Sequence, residues 1–353
     1  LVNKGVHIID LPKKIIVGHG VVNNIAGIIK ELDLGNRAYI ITGPHVKKII
    51  AEDVADILSN DDISVELGII NSTEVSEVDA IKDDVSRYEP SVLIGLGGGK
   101  AIDAAKYVSS KLSKPFISIP TAASHDGVAS PFASIRGLGK VTSVRALPPT
   151  AIIADIEVIS KAPKRLFRAG AGDLIGKFTA VLDWHLAHKL KGEYYGDYAA
   201  SLALLSAKHV ISFSNIISRG GPEAVRIVIE GLISASVAMC IAGSTRPASG
   251  SEHLFSHALD VVAKYPALHG EQVAIGTIMM SYLHGKNWKM IKKIIKKVGL
   301  PTTARELGVQ DVKVIEALTI AHKIRPERYT ILGETGLTWE AAEKLAKSTG
   351  IIE

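Results

Sequence analysis

The chain has 353 residues, enough for two domains at about 150 residues each. Apolar residues make up 47% and charged residues 22%, which fits a packed globular protein and argues against a disordered one. A single cysteine, Cys240, excludes both an intramolecular disulfide framework and a cysteine-based zinc cluster. Lys and Arg number 41 against 36 Asp and Glu, a net +5. So mild an excess suits an anionic small substrate at least as well as nucleic acid. Aromatic residues are 5%, which argues against a base-stacking platform for single strands.

Residues 1–14 lack the long apolar core of a signal peptide, so a cytoplasmic location is expected. Short β-rich runs then alternate with amphipathic stretches. Strands are predicted at 14–17, 38–41, 63–67, 91–94 and 116–119, with helices at 21–32, 46–58 and 75–88. That alternation implies βαβ crossovers and a mostly parallel sheet, whose ligands bind at the carboxyl ends of the strands. After about Ser160 strand signals nearly vanish. Helical periodicity takes over at 169–190, 194–217, 222–242, 253–263 and 270–284. The fold class expected is an α/β domain over 1–160 followed by an all-α domain over 161–353, with the cleft between them as the default small-molecule site. The small, apolar stretch 231–243 is about 13 residues against roughly 20 needed to span a bilayer. A buried helix and no membrane insertion are expected there.

The predicted strand at 91–94 runs into Gly95-Leu96-Gly97-Gly98-Gly99-Lys100 and then a helix-like 101–111. Glycines there let a backbone approach a pyrophosphate, and the free N–H groups at a helix start favour an anion. The spacing is neither G-x-G-x-x-G nor a Walker A motif. After the next strand comes Pro120-Thr121-Ala122-Ala123-Ser124-His125-Asp126-Gly127-Val128-Ala129-Ser130-Pro131. Its hydroxyls can bond a nucleotide, and Asp126 can bond a substrate hydroxyl.

Three segments of the second half stand out. Gly170-Ala171-Gly172-Asp173-Leu174-Ile175-Gly176 places an acid at an expected helix start. Ser251-Glu252-His253-Leu254-Phe255-Ser256-His257 puts two histidines on one helix face. Leu268-His269-Gly270-Glu271 places a third histidine at a helix start after Pro266. One carboxylate and two of these histidines would hold a divalent metal with an open position for substrate. His185 and His188, beside Trp184, are read as packing or surface residues. His209, His284 and His322 lack nearby carboxylates in sequence and are read the same way, and Cys240 is read as core. Lys289, Lys292, Lys293, Lys296 and Lys297 read as the solvated face of an amphipathic helix.

These segments closely resemble the archaeal sn-glycerol-1-phosphate dehydrogenases, within the superfamily of glycerol dehydrogenases, iron-containing alcohol dehydrogenases and dehydroquinate synthases. The resemblance covers essentially the whole chain. Its most specific signature is Pro-Thr-Ala-Ala-Ser-His-Asp-Gly at 120–127 with Ser130-Pro131, joined by the glycines at 97–99, Gly-Asp-Leu-Ile at 172–175, Gly-Ser-Glu-His-Leu-Phe-Ser-His at 250–257 and His-Gly-Glu-Gln at 269–272. It implies a dehydroquinate synthase-like fold and NAD(P)H-dependent reduction of dihydroxyacetone phosphate to sn-glycerol 1-phosphate for archaeal membrane lipids. It implies one zinc ion per subunit on Asp173, His253 and His269. Asp126, Asp173 and His257 become catalytic and substrate contacts. Gly97, Gly98, Gly99, Lys100, Ala101, Thr121, Ala122, Ala123, Ser124 and Ser130 become the dinucleotide contacts. Lys100-Ala101 replaces the Arg-Thr or Ser-Thr pair of some relatives. Homo-oligomers are expected by the same resemblance, and no nucleic-acid partner.

Two further expectations follow. The second strand ends in Thr42-Gly43-Pro44 with no acid to repel a 2′-phosphate, so NADPH should serve alongside NADH. Lys140, Arg136, Arg145 and Arg168 are candidates for holding the substrate phosphate, with none preferred. The nearest rival is a dehydrogenase for glycerol or another polyol; the next is a dehydroquinate synthase-like lyase.

Overall fold

A computed structural model describes residues 6–137 and 142–353. The chain divides into two compact units, Leu1–Pro163 and Lys164–Glu353.

In the first unit, β1 (Lys14–Gly18), β2 (Arg37–Thr42), β3 (Ser64–Ile69), β4 (Val92–Gly97), β5 (Phe116–Pro120) and β8 (Ala151–Asp155) form one sheet in the order β1-β8-β5-β4-β2-β3. Every pairing in it is parallel. The central strands read as unbroken apolar runs because helices cover both faces. All six residues of β4 and all five of β8 are buried. β3, at one edge, instead exposes Ser64 and Glu66, the polar edge that discourages further pairing. A separate antiparallel pair, β6 (Phe132–Ile135) and β7 (Thr142–Arg145), follows the loop after β5.

Helices α1 (Ile25–Glu31), α2 (Pro44–Val46), α3 (Glu52–Ser59), α4 (Val75–Tyr88), α5 (Gly99–Leu112) and α6 (Ile156–Ser160) complete this unit. Ile25, Ile28 and Ile29 of α1 join Val54 and Leu58 of α3 and Ile40, Ile94 and Ile117 of the sheet in one buried cluster. Each such side chain contributes about 1.5–3 kcal/mol on full burial. Three strands differ from expectation. β8 was not predicted, yet it is the strand that joins β1 to β5. The β6–β7 pair was also missed.

The second unit is helical: α7 (Lys164–Lys191), α8 (Asp197–Ser212), α9 (Ser214–Arg219), α10 (Pro222–Ala242), α11 (Ser251–Ala263), α12 (His269–Leu283), α13 (Trp288–Lys297), α14 (Ala304–Leu307), α15 (Asp311–Ile324) and α16 (Trp339–Ser348). The single helix expected over 194–217 is broken at Phe213 into α8 and α9. α10 is long and apolar enough to cross a membrane, but 72% of its most apolar stretch is buried inside the unit, so it is a core helix. On α13, Ile291 and Ile295 are buried while Lys289, Lys293, Lys296 and Lys297 are exposed, as an amphipathic helix requires. Lys292 departs from the solvated face expected of it, being partly buried with its Nζ donating to Thr349 O at 2.8 Å and Gly350 O at 2.7 Å.

Candidate active site

In the first unit the strand order reverses between β2 and β4, and open parallel sheets bind ligands outside the carboxyl ends of the strands at such a point. β4 delivers Gly97-Gly98-Gly99 there, and α5 begins at Gly99. Gly95 sits where a Cβ would meet Phe116, Ala105 and the Ile102 backbone, so helix and strand pack closely. Gly98 faces open space, leaving the first-turn N–H groups of α5 approachable by an anion. Lys100 is exposed and its Nζ donates to the Asn71 carbonyl at 3.1 Å. Ala101 is buried, so only its backbone can contact a ligand.

The loop after β5 is pinned from several sides. Thr121 N donates to Gly97 O at 2.9 Å, and Ser118 Oγ donates to Val128 O at 2.7 Å. Lys106, fully buried on α5, donates to Gly127 O at 2.6 Å and Phe132 O at 2.7 Å. Sequence reading missed this lysine, because nothing in an otherwise small and apolar helix face signals a buried ammonium. His125 Nδ1 accepts from Gly127 N at 2.9 Å, and its ring lies against Gly99. Asp126 is the first residue of the short turn 126–128 and is partly exposed. Thr121 and Ser124 are partly exposed, whereas Ala122, Ala123 and Ser130 are buried. Ser130 Oγ donates to Phe132 O at 3.2 Å.

The second unit gathers Asp173, His253 and His269, with one candidate donor atom from each lying within 4.8 Å of the other two. Donors at about 2.0–2.2 Å from a tetrahedral zinc stand roughly 3.3–3.6 Å apart, and His253 Nε2 and Asp173 Oδ1, 3.2 Å apart, are already close to that spacing. Asp173 lies well inside α7, not at a helix start as the sequence suggested. A Cβ on Gly172 would strike the Gly270 carbonyl, and one on Gly270 would strike the Ala169 carbonyl. These glycines therefore let α7 and α12 cross with their backbones touching. That crossing brings Asp173 to His269, the first residue of α12. Glu271 fixes the same helix start: its Oε2 accepts from Leu268 N at 3.1 Å, and Arg165 clamps it through two bonds of 2.6 and 2.8 Å.

The charge pattern favours a cation among these donors. Burial alone would raise the Asp173 carboxyl, but Lys177, His253 and His269 hold it well below the usual carboxylate range. Lys177 Nζ is 2.8 Å and His253 Nε2 is 3.2 Å from Asp173 Oδ1. His253 Nδ1 lies 2.8 Å from Glu252 Oε1, and the other Glu252 oxygen accepts from Thr179 Oγ1 at 2.7 Å. A carboxylate on Nδ1–H leaves Nε2 as the coordinating nitrogen and makes the ring more basic. His269 Nδ1 pairs with Ser256 Oγ at 3.1 Å, which leaves its Nε2 as the nitrogen available to a metal.

His257 stands outside the three-donor cluster. Its ring stacks on His269 at 5.5 Å and is 6.4 Å from His253. Burial pushes its pKa down, with Asp260 opposing and the charges of His253 and Arg325 adding to the fall. Among the other histidines, His284 corrects the sequence reading: its Nε2 is 3.0 Å from buried Asp183, a carboxylate distant in sequence. Asp183 also accepts from Ser251 N at 2.7 Å and Ile331 N at 2.7 Å, which anchors the start of α11. His188 pairs with the Glu193 carbonyl, and His185 packs on Tyr195. Of the basic candidates for a phosphate, Arg136 and Arg145 belong to the first unit and Arg168 to the second. Lys140 lies outside the described residues.

A family model described as iron-containing alcohol dehydrogenase matches residues 16–163. Glycerol-1-phosphate dehydrogenase of Hyperthermus butylicus, named for NAD(P)+, is 56% identical over 98% of this chain and 99% of its own length. The enzyme of the same name from Sulfurisphaera tokodaii is 56% identical over the same shares. Among solved structures, glycerol dehydrogenase from Schizosaccharomyces pombe is similar with a TM-score of 0.81 at 22% identity, over 98% of this chain and 90% of that one. At that identity the likeness shows the fold, which is of the dehydroquinate synthase-like type expected. By its full-length identity to these relatives, the chain belongs to the glycerol-1-phosphate dehydrogenase family.

Proposed function

We infer that the chain catalyses the reversible NAD(P)H-dependent reduction of dihydroxyacetone phosphate to sn-glycerol 1-phosphate, the backbone of archaeal membrane phospholipids. The observation that carries this reading is the cluster of buried Asp173 and His253 with partly buried His269 in a chain of this family. The first unit is read as the dinucleotide-binding domain, with the contacts Gly97, Gly98, Gly99, Lys100, Ala101, Thr121, Ala122, Ala123, Ser124 and Ser130. The second is read as the metal and substrate domain. Asp173, His253 and His269 hold one divalent ion, read as zinc. When bound, that ion supplies Lewis acidity toward a ketone oxygen.

The remaining side chains bind and orient. Glu252 holds the His253 ring, and Lys177 keeps Asp173 ionised. His257 bonds the substrate without coordinating, and Asp126 is a second substrate contact. Overall the ketone takes up a hydride and a proton, and NAD(P)H becomes NAD(P)+. A homo-oligomeric enzyme in the cytoplasm, without a nucleic-acid partner, completes the reading.

The test offers the purified enzyme dihydroxyacetone phosphate, dihydroxyacetone and glycerol with each coenzyme. Strong preference for the phosphorylated ketone is expected, with coenzyme oxidised one for one. Preference for glycerol would favour a polyol dehydrogenase, and no net coenzyme consumption would favour a lyase. Coenzyme choice is a separate prediction. β2 ends at Thr42 beside the point where the sheet reverses, and Gly43 and Pro44 follow. With no acid there, NADPH should be used alongside NADH. A kcat/KM ratio above about a hundredfold in favour of NADH, about 2.7 kcal/mol, would contradict this.

A further inference from the structure

Arg325 ends α15, where Pro326 turns the chain out of the helix. α15 packs along α11, which carries His253 and His257. Two other arginines stand nearby, and both are committed. Arg246 grips Glu193 through Nε at 2.6 Å and a second close bond, and its Nη1 donates to Tyr329 O at 3.0 Å. Arg328 donates to Ser249 O at 2.5 Å and Thr245 Oγ1 at 2.6 Å. Burial first, then the charges of Arg325 and Arg246, push the Arg328 guanidinium down to about 9. Burial likewise lowers Arg325, with exposed Glu327 opposing. Arg325 itself is partly buried, and its side chain makes no hydrogen bond or ion pair among the described residues. Its charge is nonetheless felt at His257.

A guanidinium withdrawn from water is costly unless an anion and hydrogen bonds compensate it. Here three guanidiniums are set against Glu193 and Glu327, and the one at the end of the helix packed on α11 has its five side-chain donors uncommitted among the described residues. The missing partner is therefore an anion, and a planar fork is matched to phosphate. We propose that Arg325 is the anchor for the phosphoryl group of the substrate, holding the three-carbon chain with its ketone end toward Asp173, His253 and His269. This rests on the activity inferred above and supplies the phosphate contact that sequence reading left undecided among Lys140, Arg136, Arg145 and Arg168. No feature of Lys323-Ile324-Arg325-Pro326 in sequence singles the residue out.

The experiment compares the parent with Arg325→Gln, Arg325→Lys and Arg168→Gln. For Arg325→Gln, KM for dihydroxyacetone phosphate should rise about 30–100-fold, as expected for a lost charged contact, while kcat changes by only a few-fold. Bound metal and kcat/KM for unphosphorylated dihydroxyacetone should stay at the parent value. Inorganic phosphate should inhibit the parent competitively and the Gln variant much more weakly, with Arg325→Lys between them. If Arg325→Gln does not fold, the Lys variant must still show the KM rise and weakened phosphate inhibition. An unchanged KM in the Arg325 variants, or a rise carried by Arg168→Gln instead, overturns the assignment. A parent enzyme inactive on dihydroxyacetone phosphate would instead overturn the functional reading beneath it.

Discussion

His253→Ala is expected to strip the metal and lower kcat by a factor on the order of 10³ or more, whereas His257→Ala keeps the metal at parent stoichiometry. The two residues lie one turn apart on α11, so a nonspecific disturbance of that helix would affect both alike. What separates them is geometry. His253 belongs to the cluster whose donor atoms lie within 4.8 Å and has Glu252 on its second nitrogen. His257 does not belong to it, and Asp260 is 3.9 Å from its Nδ1. Losing one of three protein ligands removes the charge that would stabilise a developing alkoxide, an effect of at least the size seen when a single oxyanion donor is deleted, about 10²–10³. His257→Ala should instead raise KM and lower kcat/KM with metal retained. Metal analysis of both variants decides the matter, and equal metal loss in the two would show that His257 is a ligand.

Gly270→Ala is the second large effect, and it acts through the backbone. The added methyl would meet the Ala169 carbonyl, carbonyl carbon and Cα, none of which can swing aside as a flexible side chain would. Overpacking of this kind costs about 3 kcal/mol, or a fall in Tm of about 6–12 °C for a domain this size. Because His269 is the neighbouring residue and starts α12, the shift should also weaken metal binding. A variant that melts with the parent and holds its full metal would show that α7 and α12 do not cross as closely as described. Gly98→Ala, facing open space, is the contrasting case and should leave Tm nearly unchanged.

The parallel sheet could be read because its strands are apolar runs separated by amphipathic helices, a pattern that follows from burial on both faces. β8 escaped because Ala151-Ile152-Ile153-Ala154-Asp155 is five residues lying between Pro149 and α6. Its pairing with β1, far away in sequence, is not a local property. The three candidate metal donors stood out because their residue types are unusual in small, apolar segments. Their supports were harder to see. Lys177 is four residues from Asp173 on one helix face, so a strict helical reading of α7 would have found it. Lys106 and Arg325 had no such signal. Their significance comes from burial and from partners, or a lack of partners, that only the folded chain reveals.

Removal of the divalent ion tests the proposed chemistry most directly. The purified enzyme is assayed with dihydroxyacetone phosphate and NAD(P)H as isolated, after exhaustive chelation, and after stoichiometric zinc is restored, with bound metal measured at each stage. One divalent ion per chain is expected, with loss of activity in step with loss of the ion and recovery when zinc is returned. Turnover that persists undiminished in the metal-free enzyme would contradict that chemistry.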